Sequence, residues 1–171
     1  LSASANACLG IDISTDGVAT ARSLGFVNVL VLDIFSPQAP ARLAKWNPEM
    51  VLVPDVIEHL PNPAAFLRRL VDSLPQALFV VTVPNALSLR NTVQTFRGVE
   101  RINTDHRSWF SPFTLQKILA DAGLKADSLH ACPVFRSGSL KGRLLRVLSR
   151  WRPMWADVLL VQARKAQLQE D

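Results

Sequence analysis

The residues best equipped for chemistry stand in one short stretch, Met50 to Asn62. There Asp55, Glu58 and His59 follow directly on the apolar run Met50 to Val53. A carboxylate accepts several hydrogen bonds at once, and histidine takes up a proton near neutral pH. A second polar cluster, Gly98 to Trp109, holds Glu100, Arg101, Asn103, Asp105, His106 and Arg107. His106 is the other candidate base there, with Asp105 beside it in the chain to orient its ring or raise its pKa. Single acids close two further apolar runs, Asp12 after Ala7 to Ile11 and Asp33 after Val27 to Leu32, and Pro84-Asn85 closes Ala77 to Val83. Each of these residues also has a plainer reading. Asp12 can cap a helix, Asp33 can be a solvated loop acid, and Asp55 can close a turn. His59 can be a hydrogen-bonded structural residue, and His106 can belong to a network that pins its loop. The Asn85 amide can bond a substrate or complete a turn. No nucleophile–base–acid set and no metal-ligand spacing is seen along the chain. The two cysteines, Cys8 and Cys132, are far apart and read as inert thiols of a reducing compartment.

The elements that must carry these groups follow from periodicity. Four short apolar runs, ending at Ile11, Leu32, Val53 and Val83, read as strands. The run Met50 to Val53 in particular reads as a strand buried on both faces. Between them lie helical stretches: Asp16 to Leu24, capped by Ser14 or Thr15 and stopped at Gly25; Ala41 to Trp46; and Ala64 to Leu74, opened by prolines. Strand–helix alternation with short loops predicts an α/β, doubly wound, mostly parallel sheet with right-handed crossovers. In such a sheet the strand ends share one edge, where ligands bind. Leu87 to Phe96 suggests a short helix that fades into the polar cluster, so residues 86–111 read as a lid or substrate segment. Ser111-Pro112 starts a helix that runs to Ala122 before Gly123. Leu124 to Val134 and Asp157 to Ala163 read as a paired antiparallel edge.

The 171 residues, 49% hydrophobic and 19% charged, fit one folded domain. No apolar run approaches the roughly 18 residues that span a bilayer. The net charge of +5 is uneven: residues 136–171 carry eight basic and three acidic side chains, and the rest is neutral. Within residues 138–153, Leu140 to Trp151 forms a basic amphipathic pattern. Three readings of it stay open: a helix packed on the domain, peripheral contact with an anionic membrane surface on the cytoplasmic side, or an acidic partner. Nucleic acid is disfavoured, because aromatic residues are not interleaved with the basic ones.

Several of these pieces match a known pattern. They are Gly10-Ile11-Asp12-Ile13-Ser14, Leu32-Asp33-Ile34, Asp55-Val56-Ile57-Glu58-His59-Leu60-Pro61-Asn62-Pro63, Thr82-Val83-Pro84-Asn85-Ala86 and Asp105-His106-Arg107-Ser108-Trp109-Phe110-Ser111. Over nearly its whole length the chain resembles class I S-adenosylmethionine-dependent methyltransferases, in the branch related to ubiquinone-biosynthesis and polysaccharide-modifying enzymes. The resemblance implies a Rossmann-like fold, S-adenosylmethionine as cofactor, and a small-molecule or lipid- or sugar-linked methyl acceptor. It implies that Asp12 and Ile13 meet the cofactor ribose. Asp33 and Ile34 then meet the adenine, and Asp55 and Val56 line the methionine portion. His106 and His59 become the candidate bases, and Asn85 and Arg107 the substrate contacts. The family's glycine-rich loop has no counterpart before Gly10, and Leu1 to Asn6 reads as the tail of the helix that follows such a loop. The chain therefore reads as lacking the first strand, which leaves a gap between the strands ending at Asp12 and Asp55. The competing reading is a non-catalytic remnant that serves as a binding or membrane-docking module.

Overall fold

Local capping signals and apolar alternation fix most of the elements. A computed structural model describes residues 7–133 and 151–167. The basic stretch from Leu140 thus lies outside the described residues, apart from the exposed Trp151 at its end.

Strand β1 (Gly10–Asp12) leads through helix α1 (Thr15–Ser23) to β2 (Val29–Val31), which pairs with β1 in parallel. Ser14 caps α1 by accepting from the Gly17 amide. The chain leaves α1 through Gly25 at φ +92°, a left-handed conformation that glycine tolerates. Helix α2 (Ala39–Trp46) precedes β3 (Met50–Pro54), a 3₁₀ turn (Ile57–His59), helix α3 (Pro63–Ser73) and β4 (Leu78–Pro84). Helices α4 (Leu89–Phe96) and α5 (Pro112–Asp121) follow, then β5 (Leu124–Cys132) and β6 (Val158–Lys165).

The expected α/β sheet forms, in two hydrogen-bonded parts among the described residues: β1-β2, and β3-β4-β6-β5. Strands β3 and β4 are parallel, while β6 runs antiparallel to both of its neighbours. The last two strands pair as the sequence predicts, but β6 lies inside the sheet, between β4 and β5. The predicted burial of β3 on both faces does not hold. Only Val53 is buried, and Met50 and Leu52 are 47% and 39% exposed. The physical reason is position, because β3 is the edge of its sheet and pairs on one side only.

The core lies over β4 and β6. Phe79, Val81 and Val83 alternate inward and meet Leu159, Val161 and Ala163, with Leu115 and Leu119 of α5 in the same cluster. Leu32 and Ile34, just past β2, join that cluster, and Arg69 of α3 donates to the carbonyls of Ile34 and Ser36. These contacts dock the β1-β2 pair onto the body of the domain. Helix α5 starts with a reciprocal cap: the Ser111 hydroxyl accepts from the Thr114 amide, and the Thr114 hydroxyl accepts from the Ser111 amide. Ser111→Ala is expected to cost about 1 kcal/mol. It should lower the thermal midpoint by about 2–4 °C, as read by circular dichroism.

Candidate active site

The site begins where β3 ends. Asp55 adopts φ +49°, a rare conformation for a residue with a side chain. It is held there from the neighbouring strand: Asp55 N donates to the Thr82 carbonyl at 3.0 Å, and Thr82 Oγ1 donates to Asp55 Oδ1 at 3.1 Å. The chain therefore swings at once from strand into the 3₁₀ turn that presents Glu58 and His59. The second polar cluster is stitched onto this turn. The amides of Arg107 and Ser108 donate to the Glu58 carbonyl at 2.7 and 3.2 Å. His59 Nδ1 lies 3.2 Å from the Asp105 carbonyl, to which its N–H donates.

The result brings the two candidate bases together. The rings of His59 and His106 meet edge to face, 4.7 Å between centroids. Glu58 lies against them, 1% exposed, and among the described residues neither carboxylate oxygen has a hydrogen-bond partner. Its Oε1 is 4.0 Å from His59 Nε2. Burial pushes the Glu58 carboxyl above its ordinary value, and the nearby Asp55 charge acts in the same direction. Burial, and then His59, push His106 below the usual imidazole value, which favours its neutral form.

His106 also lines a cavity of about 510 Å³ at the carboxyl end of β4, together with Asn85, Arg90, Arg101, Asn103 and Trp109. Arg107, expected from sequence to meet substrate, is exposed and is not in this wall; Arg90 and Arg101 are. Arg90 sits in the first turn of α4, directly beyond the β4 tip, so the strand-end rule carried a signal for it. Asn85 lines the cavity but is fully engaged in the fold. Its Nδ2 donates to the carbonyls of Met154 and Ala156, both at 2.8 Å, and its Oδ1 accepts from Leu87 N at 3.0 Å. It ties the exit of β4 to the entry of β6.

The acids of the first two strands occupy one end of the β1-β2 pair. Leu32 N donates to the Asp12 carbonyl at 2.9 Å, which places the loop carrying Asp33 beside Asp12. Asp12 Oδ1 accepts from Ser14 N at 2.8 Å, and Asp33 Oδ1 accepts from Phe35 N at 2.9 Å. Each carboxylate keeps its second oxygen for another donor. A Cβ at Gly17 would stand 3.1 Å from Asp12 Oδ2, so a side chain there would shift this carboxylate by a few tenths of an ångström. Two exposed acceptor oxygens at adjacent strand ends fit hydroxyl and amino donors such as those of a nucleoside. Ile34, expected against the adenine, is instead buried in the core, whereas Ile13 is 70% exposed and Val56 packs half-buried on the core.

A family model described as a methyltransferase domain matches residues 2–129. Among solved structures, a SAM-dependent methyltransferase from Archaeoglobus fulgidus is 19% identical, with TM-score 0.54, over 92% of this chain and 75% of that one. A putative methyltransferase from Bacillus halodurans is 17% identical, with TM-score 0.59, over 93% and 83%. Magnesium protoporphyrin IX methyltransferase from Synechocystis, solved with bound SAH, is 18% identical, with TM-score 0.56, over 92% of this chain and 64% of that one. A comparison with curated proteins found no match. The chain shares the fold of these solved methyltransferases, and it belongs to the methyltransferase-domain family.

Proposed function

We propose that Asp12, Asp33 and Asp55 hold the cofactor, and that the methyl group passes to a small-molecule or lipid- or sugar-linked acceptor seated in the cavity beside His106. S-adenosylmethionine supplies a methyl group already activated on a sulfonium, so no nucleophile of the protein need be methylated. The work left to this chain is binding, alignment and removal of the acceptor proton. The cavity is the observation that carries the reading. Its volume of about 510 Å³ suits one small molecule or the head of a larger one. Arg90 and Arg101 in its wall suit an anionic group on that acceptor. His106, disposed to be neutral and open to the cavity, is placed to take the proton of a hydroxyl or amine.

The test is transfer of labelled methyl to a panel of small hydroxy and amino compounds, with and without a carboxylate or phosphate. Arg101→Gln is expected to raise KM for the anionic acceptors by about tenfold, because one charge-assisted hydrogen bond is lost. Affinity for S-adenosylhomocysteine should stay unchanged. Equal KM values in wild type and Arg101→Gln, or transfer confined to uncharged acceptors, would contradict the assignment of this pocket.

A further inference from the structure

We infer that Glu58, His59 and His106 together form a site for one divalent first-row transition ion, such as zinc or manganese, beside the cavity that His106 lines. The site involves the same cluster as the reading above. It rests on the geometry of three side chains and is tested with neither cofactor nor acceptor present.

One ligand atom from each residue lies within 4.8 Å of the other two. Ligands that share a zinc ion at about 2.0–2.2 Å stand about 3–3.5 Å apart, so modest side-chain rotations close the set. Glu58 makes the strongest case. It is 1% exposed, and both of its oxygens lack a hydrogen-bond partner among the described residues. A carboxylate so placed must be neutralised, paired or bound to a metal. Among the described residues neither oxygen is paired by a hydrogen bond, and His59 Nε2 at 4.0 Å is beyond hydrogen-bond reach.

The histidines are prepared for ligation. His59 donates its Nδ1–H to the Asp105 carbonyl, which leaves the lone pair of Nε2 on the side facing Glu58. A backbone carbonyl that fixes the tautomer and ring orientation of a ligand histidine is a recurring support for bound metals. Two imidazoles and one carboxylate favour zinc, manganese, iron or cobalt over calcium and magnesium, which take oxygen ligands. Three protein ligands leave coordination positions open, and His106 puts them beside the cavity. An acceptor hydroxyl that enters such a position gives up its proton more readily. With the ion bound, His59 and His106 would serve as ligands, the ion would lower the pKa of the hydroxyl and the proton would leave to solvent, so the base role given to His106 above belongs to the metal-free chain.

The experiment uses the full chain, stripped with chelator and desalted, then titrated with cobalt(II) and followed by visible absorption and calorimetry. A single saturable equivalent with a d–d band is expected. Glu58→Gln and His106→Ala should each weaken binding about tenfold or more, while His130→Ala, on the remote strand β5, binds as wild type. At equal zinc concentration the melting temperature should rise more for the wild type than for Glu58→Gln. Absence of a saturable band with the wild-type chain would overturn the site. So would undiminished, wild-type cobalt affinity in Glu58→Gln and His106→Ala, or a comparable loss in His130→Ala. Because no cofactor enters this titration, its failure leaves the methyl-transfer reading standing, and the converse also holds.

Discussion

Alanine at Asp12 is expected to weaken binding of S-adenosylhomocysteine about 10- to 100-fold. The carboxylate stands exposed at the end of β1, with one oxygen on Ser14 N and the other open. A hydrogen bond to a charged group contributes about 1.5–3 kcal/mol, and each 1.4 kcal/mol is about a tenfold change in affinity. Two vicinal hydroxyls on one carboxylate place the effect in that range. Stability should change little, because the residue is on the surface and loses one local bond. Asp12→Asn keeps an acceptor for Ser14 N, yet removes the charge on which the proposed cofactor contact relies. It should bind as weakly as the alanine variant, to within a factor of a few. Calorimetric titration reads both variants, with thermal melting to show that each is folded. Unchanged affinity in both would remove Asp12 from the cofactor site.

The second large effect is on stability. Phe79 is fully buried near the start of β4, opposite Val51 of β3 and Ala163 of β6. Phe79→Ala leaves a cavity where β4 meets both of its neighbours, at a cost of about 3–5 kcal/mol. For a chain of this size the midpoint should fall by about 10 °C or more. Phe79→Leu keeps most of the volume and should cost under about 1.5 kcal/mol. Phe96, 88% exposed on α4, supplies the contrast. Its change to alanine should stay within about 0.5 kcal/mol. Urea unfolding monitored by tryptophan fluorescence ranks the three. A loss at Phe79→Ala no larger than at Phe96→Ala would mean that β4 is not the core strand.

What the sequence made legible was local. Caps at Ser14 and Ser111 and the stops at Gly25 and Gly123 are decided by neighbouring backbone groups, so they can be read from a few residues. Strand–helix alternation was enough for the sheet class, and acids at strand ends were enough to point at the rim. Illegible were the pairings made over long separations. That β6 inserts between β4 and β5 is a pairing of strands far apart in the chain, whose register no local signal carries. His59 and His106 meet because Glu58 and Asp105 lend their backbone carbonyls across the loop, and no spacing rule encodes that. The engagement of Asn85 by Met154 and Ala156 hid for the same reason. Ile34 shows a further limit. An isoleucine beside a functional acid has the same hydropathy whether it faces a ligand or the core, and here it faces the core.

The carboxyl ends of β1, β2 and β3 are proposed to serve one cofactor. Hydrogen exchange measured by mass spectrometry, with and without saturating S-adenosylhomocysteine, addresses that directly. Slowed exchange is predicted in residues 10–17, 33–36 and 55–59 together. Slowing in only one of these segments, or in none of them while the ligand binds elsewhere, would contradict the account.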